Sequence, residues 1–169
     1  NTQFLNICLL FFNLKSFMAQ LKILTYPHPL LEEKAQKVAD PQAPEIKRLV
    51  LDMLETMEKN NNCLGLAANQ VGQLARIFTI KLVGKTYIFI NPIFKSKSWG
   101  KAVCEEGCLS FPGKFIPVKR SKKVKIEAFD KNGQKFVLKA ENLLSRAIQH
   151  EMDHLDGILF IEKEAKKPK

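Results

Sequence analysis

Apolar residues at Ile46, Leu49, Val50, Met53, Leu54 and Met57 recur at helical spacing. They predict an amphipathic helix from Pro44 to Lys59 packed on a core, its methionines serving as filler. A second such pattern lies near the C-terminal end. Leu143, Leu144, Ala147 and Ile148 precede a polar stretch, Leu155 and Ile158 follow it, and no Pro or Gly interrupts Glu141–Asp156. One helix of about four turns is expected there. Between the two helices the period changes. Arg76–Val83 and Thr86–Ile90 read as strands joined by a turn at Gly84-Lys85, with Asn91-Pro92 closing the pair. A further strand is expected through Lys97–Val103, running into a Gly- and Pro-bounded loop or irregular strand over Glu105–Gly113. Val118–Phe129 alternates charged and apolar positions (Val124, Ile126, Ala128), then turns at Asp130–Gly133 into Gln134–Ala140, a hairpin with one solvated face.

Helix, antiparallel strands and a final helix in that order make an α+β domain, with the sheets packed around the C-terminal helix. At 169 residues one domain is expected. It begins at Met18, since residues 1–17 do not share the globular pattern. Their apolar core, Leu5 to Leu14, is too short to span a bilayer, and Lys15 lies on the wrong side of it for a secretory signal. They are read as an upstream extension outside the fold. Tyr26-Pro27-His28-Pro29 is an extended, turning segment, so His28 is a surface histidine. The Lys-rich end after Glu164 is expected to fray.

Composition adds one asymmetry. Net charge is +10, and from Lys95 to Lys139 twelve Lys and Arg stand against four Asp and Glu, so eight of the ten charges fall in that third. A basic face suits an anionic partner such as RNA or the ribosome surface, and equally a merely solubilising surface. Four cysteines (Cys8, Cys63, Cys104, Cys108) are too few and too irregular for a disulfide framework, which points to a reducing, cytoplasmic setting.

The polar stretch in the last helix carries the chemistry. His150 and His154 are four apart, so both imidazoles leave one face and can grip a single metal ion. Glu151 is placed to take a proton from a water that the metal polarises, without being a ligand. A catalytic site of this kind normally has three protein ligands; a carboxylate or Cys108 could be the third. Upstream, Gly65-Leu66-Ala67-Ala68 leads to Gln70. Small residues beside an amide suit a substrate groove wall with a donor for a developing oxyanion, and suit tight backbone packing equally.

Taken together, Gly65-Leu66-Ala67-Ala68-Asn69-Gln70, Glu106-Gly107-Cys108-Leu109-Ser110 and Gln149-His150-Glu151-Met152-Asp153-His154 resemble the three signature motifs of peptide deformylases, in the same order and at similar separations. Leu24-Thr25-Tyr26-Pro27 is similar to the start of those enzymes, and the likeness runs from Met18 to Lys163. The resemblance implies a hydrolase that removes the formyl group from N-formyl-methionyl nascent peptides and releases formate; a monomer is expected. It implies Cys108, His150 and His154 as metal ligands, Glu151 as general base and acid, and Gln70 with the Leu109 N–H as oxyanion donors. It also implies one divalent ion, Fe(II) natively, with Zn(II), Ni(II) or Co(II) accepted. Gly65, Leu66 and Gly107 would border the substrate, and Leu143, Arg146 and Ala147 would line the methionine pocket, Leu143 and Ala147 suiting an ordinary core equally. Apart from the resemblance, Glu106 and Arg120 are candidates to orient the ligands. Glu162–Lys169 would be at most a stub of the C-terminal extension that links longer members to the ribosome.

One position departs from the family pattern: Cys63 stands where a glycine is usual, and is expected to pack against the groove. Two other readings are weaker. A zinc peptidase would take a downstream His or Glu as third ligand, yet no His follows His154. A non-catalytic basic RNA-binding domain would be expected to have lost Glu151, Gln70 or a ligand, and all are present.

Overall fold

The computed structural model describes residues 19–60 and 62–165; the expected extension over residues 1–17 and the lysines of 166–169 lie outside the described residues. Helix α1 (Pro44–Glu58) starts with proline at its first position, where a missing N–H costs no hydrogen bond, and buries Val50, Met53 and Met57. Seven strands follow: β1 (Gly65–Ala67), β2 (Ile77–Leu82), β3 (Lys85–Lys97), β4 (Lys101–Cys108), β5 (Phe111–Ser121), β6 (Lys123–Phe129) and β7 (Lys135–Glu141). Helix α2 (Asn142–Leu155) carries the His-Glu motif. All strand pairs are antiparallel. One sheet has the order β1-β2-β3-β6-β7, and β4-β5 form a second. The α+β class is therefore as expected. Among the described residues no helix is long and apolar enough to cross a membrane.

Three strand expectations are corrected. Strand β3 does not close at Asn91-Pro92 but runs on to Lys97, pairing first with β2 and then with β6. Its register slips between Ile90 and Ile93, so Pro92 sits at an irregularity where no ladder N–H is required. Asn91 takes φ 52° there, and its amide exchanges two 2.8 Å hydrogen bonds with the backbone of Val38. The strand expected over Lys97–Val103 is broken at Ser98–Gly100 by the turn between β3 and β4, with Lys101–Val103 opening β4, while Glu105–Gly113, expected as a loop or irregular strand, is strand interrupted by a tight turn at Leu109-Ser110. Val118–Phe129 is not one strand: it breaks at Lys122, where β5 leaves for the second sheet and β6 enters the first. Alternation alone cannot reveal a change of sheet, because both halves keep the same period.

Helix α2 lies between the two sheets. Ala147, Ile148, Met152 and Leu155 pack with Phe78, Ile80, Phe89, Ile126 and Ala128 of the larger sheet. Helix α1 covers the opposite face, where Met53 and Met57 meet Leu66, Ile77 and Ile90. The smaller sheet encloses Phe111, Ile116 and Val118 with Leu31, Leu159 and Phe160. Gln149 fixes the helix to the break between the sheets. Its amide accepts from Ser121 N (3.1 Å) and donates to Ser121 O (2.9 Å).

Candidate active site

Each of the three motifs sits on a different element, and α2 brings them together. His150 and His154 leave the same face of α2, ring centroids 5.0 Å apart. Cys108 ends β4, and its sulfur lies 3.2 Å from Nε2 of His154. One donor atom from each of these residues lies within 4.8 Å of the others, both histidines being largely buried. Gln70 occupies a single-turn helix after β1. The Ala67 N–H holds its carbonyl (2.9 Å), which turns the amide NH₂ toward Ser110 Oγ (3.1 Å) and Cys108 Sγ (3.4 Å). Leu109 lies in the turn directly after Cys108, so its N–H follows the sulfur donor in the chain.

Glu151 is buried, and its Oε2 has no hydrogen-bond partner among the described residues; Asn69 Oδ1 and His154 Nδ1 share that condition. The carboxylate crosses β1 at Gly65, where an added Cβ would collide with Oε1. Glycine is required there for close approach, the stronger form of the sequence expectation. Burial pushes the Glu151 carboxyl up to about 7, against the pull of His150.

Behind the donors runs a buried ion-pair network. Arg120 is 5% exposed and grips Glu106 with two parallel bonds, Nε to Oε1 (2.9 Å) and Nη2 to Oε2 (2.8 Å), while Nη1 reaches Asp153. Glu106 Oε2 also meets His150 Nδ1 at 3.0 Å, which leaves Nε2 of that ring for the donor centre. Arg146 adds Nη1 to Glu106 Oε1 (2.6 Å) and donates to the carbonyls of Val118 and Ala102. Burial alone would raise the Glu106 carboxyl; Arg120 and His150 overcome it and hold it well below the usual carboxylate range. Burial likewise opposes charge on His150, yet contacts with Cys108 and Glu106 prevail and raise it to about 10. A negative environment that draws a proton onto His150 draws a divalent cation as well. Two imidazoles, one sulfur, an orphaned carboxylate oxygen and that field therefore fit a metal ion.

A cleft of about 460 Å³ opens over the donors, lined among others by Cys63, Gly65, Gly107, Leu143, Arg146 and Ala147. The Cys63 thiol donates to the Gly65 carbonyl (3.2 Å), and burial, Glu151 and Cys108 push it up to about 12. It packs as a neutral thiol on the cleft wall. Leu66, expected at the substrate, has its side chain elsewhere: successive strand residues alternate faces, so Gly65 meets Glu151 while Leu66 is wholly buried against α1. Asp153, Gln149 and Ser110 were not singled out from the sequence, although all three lie inside the motifs. Only folding shows that Asp153 and Ser110 anchor Arg120 and Gln70.

A cation held by these donors would face an open cleft on one side and a carboxylate on the other, whereas structural metal sites are closed. The class so defined is a metal-dependent hydrolase on an antiparallel α+β scaffold. Residues 20–169 match the family model described as polypeptide deformylase. The chain is 53% identical over 133 residues to peptide deformylase 1 of Clostridium perfringens, covering 78% of this chain and 89% of that protein. It is 43% identical over 152 residues to the peptide deformylase of Neisseria gonorrhoeae, covering 86% and 87%. The crystal structure of the Thermotoga maritima peptide deformylase superposes with a TM-score of 0.83 at 33% identity, covering 87% of this chain and 99% of that one. The chain belongs to the polypeptide deformylase family, hydrolases that remove the N-terminal formyl group from nascent proteins.

Proposed function

We infer that Cys108, His150 and His154 hold one divalent metal ion, Fe(II) in the native enzyme, and that Glu151 transfers the protons of formyl hydrolysis. When bound, the ion acidifies a water and polarises the formyl oxygen. The formyl-methionyl end enters the cleft, its side chain against Leu143, Ala147 and the stem of Arg146, its backbone along Gly65 and Gly107. Leu66 contributes backbone only. Glu151 takes a proton from the attacking water through its free oxygen. A carboxyl near neutrality is well matched to accept a proton and return it. As the formyl carbon becomes tetrahedral, the Gln70 amide and the Leu109 N–H donate to its oxygen, each such donor lowering the barrier by about 2.7–4 kcal/mol. Glu151 then protonates the departing nitrogen, and formate and a free N-terminus leave.

The observation that carries this reading is the buried, unpartnered Glu151 oxygen beside three converging donors. The finer expectations of a single domain from Met18, a monomer, a cytoplasmic setting and a ribosomal contact are part of the same reading. The last is supported by the positive charge between Lys95 and Lys139.

The test is formate release from a formyl-Met peptide by protein purified without oxygen and loaded with Fe(II) or Ni(II), beside Glu151→Ala. Activity that falls about 10²–10⁴-fold in a variant that keeps its metal is expected. An equally active variant would remove Glu151 from the mechanism, and parallel loss of metal would make it a structural residue.

A further inference from the structure

The turn between β3 and β4 presents Trp99, the chain's single tryptophan, at 98% exposure, an orientation the hydrophobic effect alone disfavours. Its neighbours are Ser98 and Gly100, so no apolar companion explains it. The turn is firmly held all the same. Ser98 N donates to Lys123 O (2.9 Å), Lys122 N to Gly100 O (2.8 Å) and Ser98 Oγ to Gly100 O (2.9 Å). The indole therefore stands on a fixed platform.

Around it the surface is basic. Lys101 and Lys122 flank the turn, and the Lys122 stem passes Gly100. Beyond Ser98, the exposed face of β6 and β7 carries Lys123, Lys125 and Lys139. Lys125 and Lys139 are direct cross-strand partners, a like-charge placement that costs stability. Among the described residues Lys101, Lys122, Lys125 and Lys139 have no acidic partner; Lys123 alone in this row has one, Glu141 at 2.8 Å. An exposed aromatic ring on a rigid turn, heading a row of unneutralised lysines, has the two elements that single strands need: a face for a base and charges for phosphates.

We propose that Trp99 and the lysine row Lys101, Lys122, Lys125 and Lys139 form a binding surface for single-stranded RNA, with a base stacked on the indole. A membrane surface fits less well, because interfacial anchoring uses several apolar side chains at one tip and the turn residues beside Trp99 are Ser98 and Gly100. The surface is separate from the donor centre and does not depend on formyl hydrolysis.

Because Trp99 is the only tryptophan, its own fluorescence reports the contact. The full-length, metal-loaded enzyme is titrated at low salt with an oligoribonucleotide of roughly ten nucleotides, with inorganic polyphosphate, and with phosphatidylserine vesicles. Binding of labelled RNA is followed by anisotropy for Trp99→Ala, Lys122→Glu and Lys125→Glu. RNA is expected to quench the indole while polyphosphate binds without quenching. Trp99→Ala should weaken RNA binding about tenfold, as loss of one stacked base does. Each lysine variant should reduce the slope of log affinity against log salt by about 0.7. Formate release at the parent rate shows that the variants are folded. Absence of quenching at low salt, equal RNA affinity of Trp99→Ala and parent, or an emission shift on vesicles with none on RNA would each overturn the proposal.

Discussion

Two groups of charged residues in this molecule behave in opposite ways. Behind the donor centre, Glu106, Arg120 and Asp153 are buried and Arg146 is partly so, and each is satisfied by at least one partner within the group. On the β6–β7 face, Lys125 and Lys139 are exposed, adjacent and unmatched. Burial makes an unpaired charge costly, so the interior group is fully paired, with Lys163 a further partner of Asp153, and this pairing orients His150 through Glu106. Water screens the exterior group, so its repulsion is affordable and its field remains directed outward. The same residue types thus orient donor side chains in one place and leave an outward positive field in another.

The sharpest way to break the interior group is Arg120→Ala, which takes the paired bonds from Glu106 and one partner from Asp153, leaving Arg146 and His150 on the first and Lys163 on the second. A loss of about 3 kcal/mol is expected, the low end for breaking a buried ion pair because partners remain, read by urea unfolding of the metal-loaded protein; a change under 1 kcal/mol would mean that the remaining partners suffice. Glu106→Gln keeps the shape but removes the carboxylate behind His150. Metal affinity should drop about 10–100-fold with the fold intact, measured by competition with a chelating dye, and unchanged affinity would detach the network from the site. On the exterior, Lys125→Glu replaces a like-charge pair with an attractive one opposite Lys139. Stability should rise by about 0.2–1 kcal/mol in thermal unfolding, a sign no interior charge reversal would give. The smallest effect concerns Glu127, the carboxylate of this face that meets Lys135 at 3.2 Å and Lys95 at 3.5 Å. The hydrogen bond from Lys135 lowers its pKa. Its small stabilising contribution is complete above the ordinary carboxylate range and disappears as pH falls through the lowered folded value. Carboxyl NMR titration should place Glu127 below a free glutamate, and Lys135→Ala should move it back up.

Much of this was legible in the chain. The period of Ile46 to Met57 and the uninterrupted run Glu141–Asp156 define two helices that the structure places at Pro44–Glu58 and Asn142–Leu155. Spacing put His150 and His154 on one helix face, because helical geometry is local. The motifs supplied the donor types, and Gly65 marked a close approach before its partner was known. What stayed hidden depended on contacts distant in sequence. The passage of β3 through Asn91-Pro92 rests on Val38, fifty-three residues away. The break at Lys122 rests on which sheet each half joins, and the side taken by Leu66 on α1 packing against β1. The sequence by itself determined the periods, the reactive groups and the excess of positive charge, all of which follow from neighbours along the chain. Only the tertiary structure decided that Arg120 and Asp153 support Glu106, that Cys63 stays a neutral thiol on the cleft wall, and that Trp99 faces water. Burial and ion pairing are set by packing between elements, and no local pattern contains them.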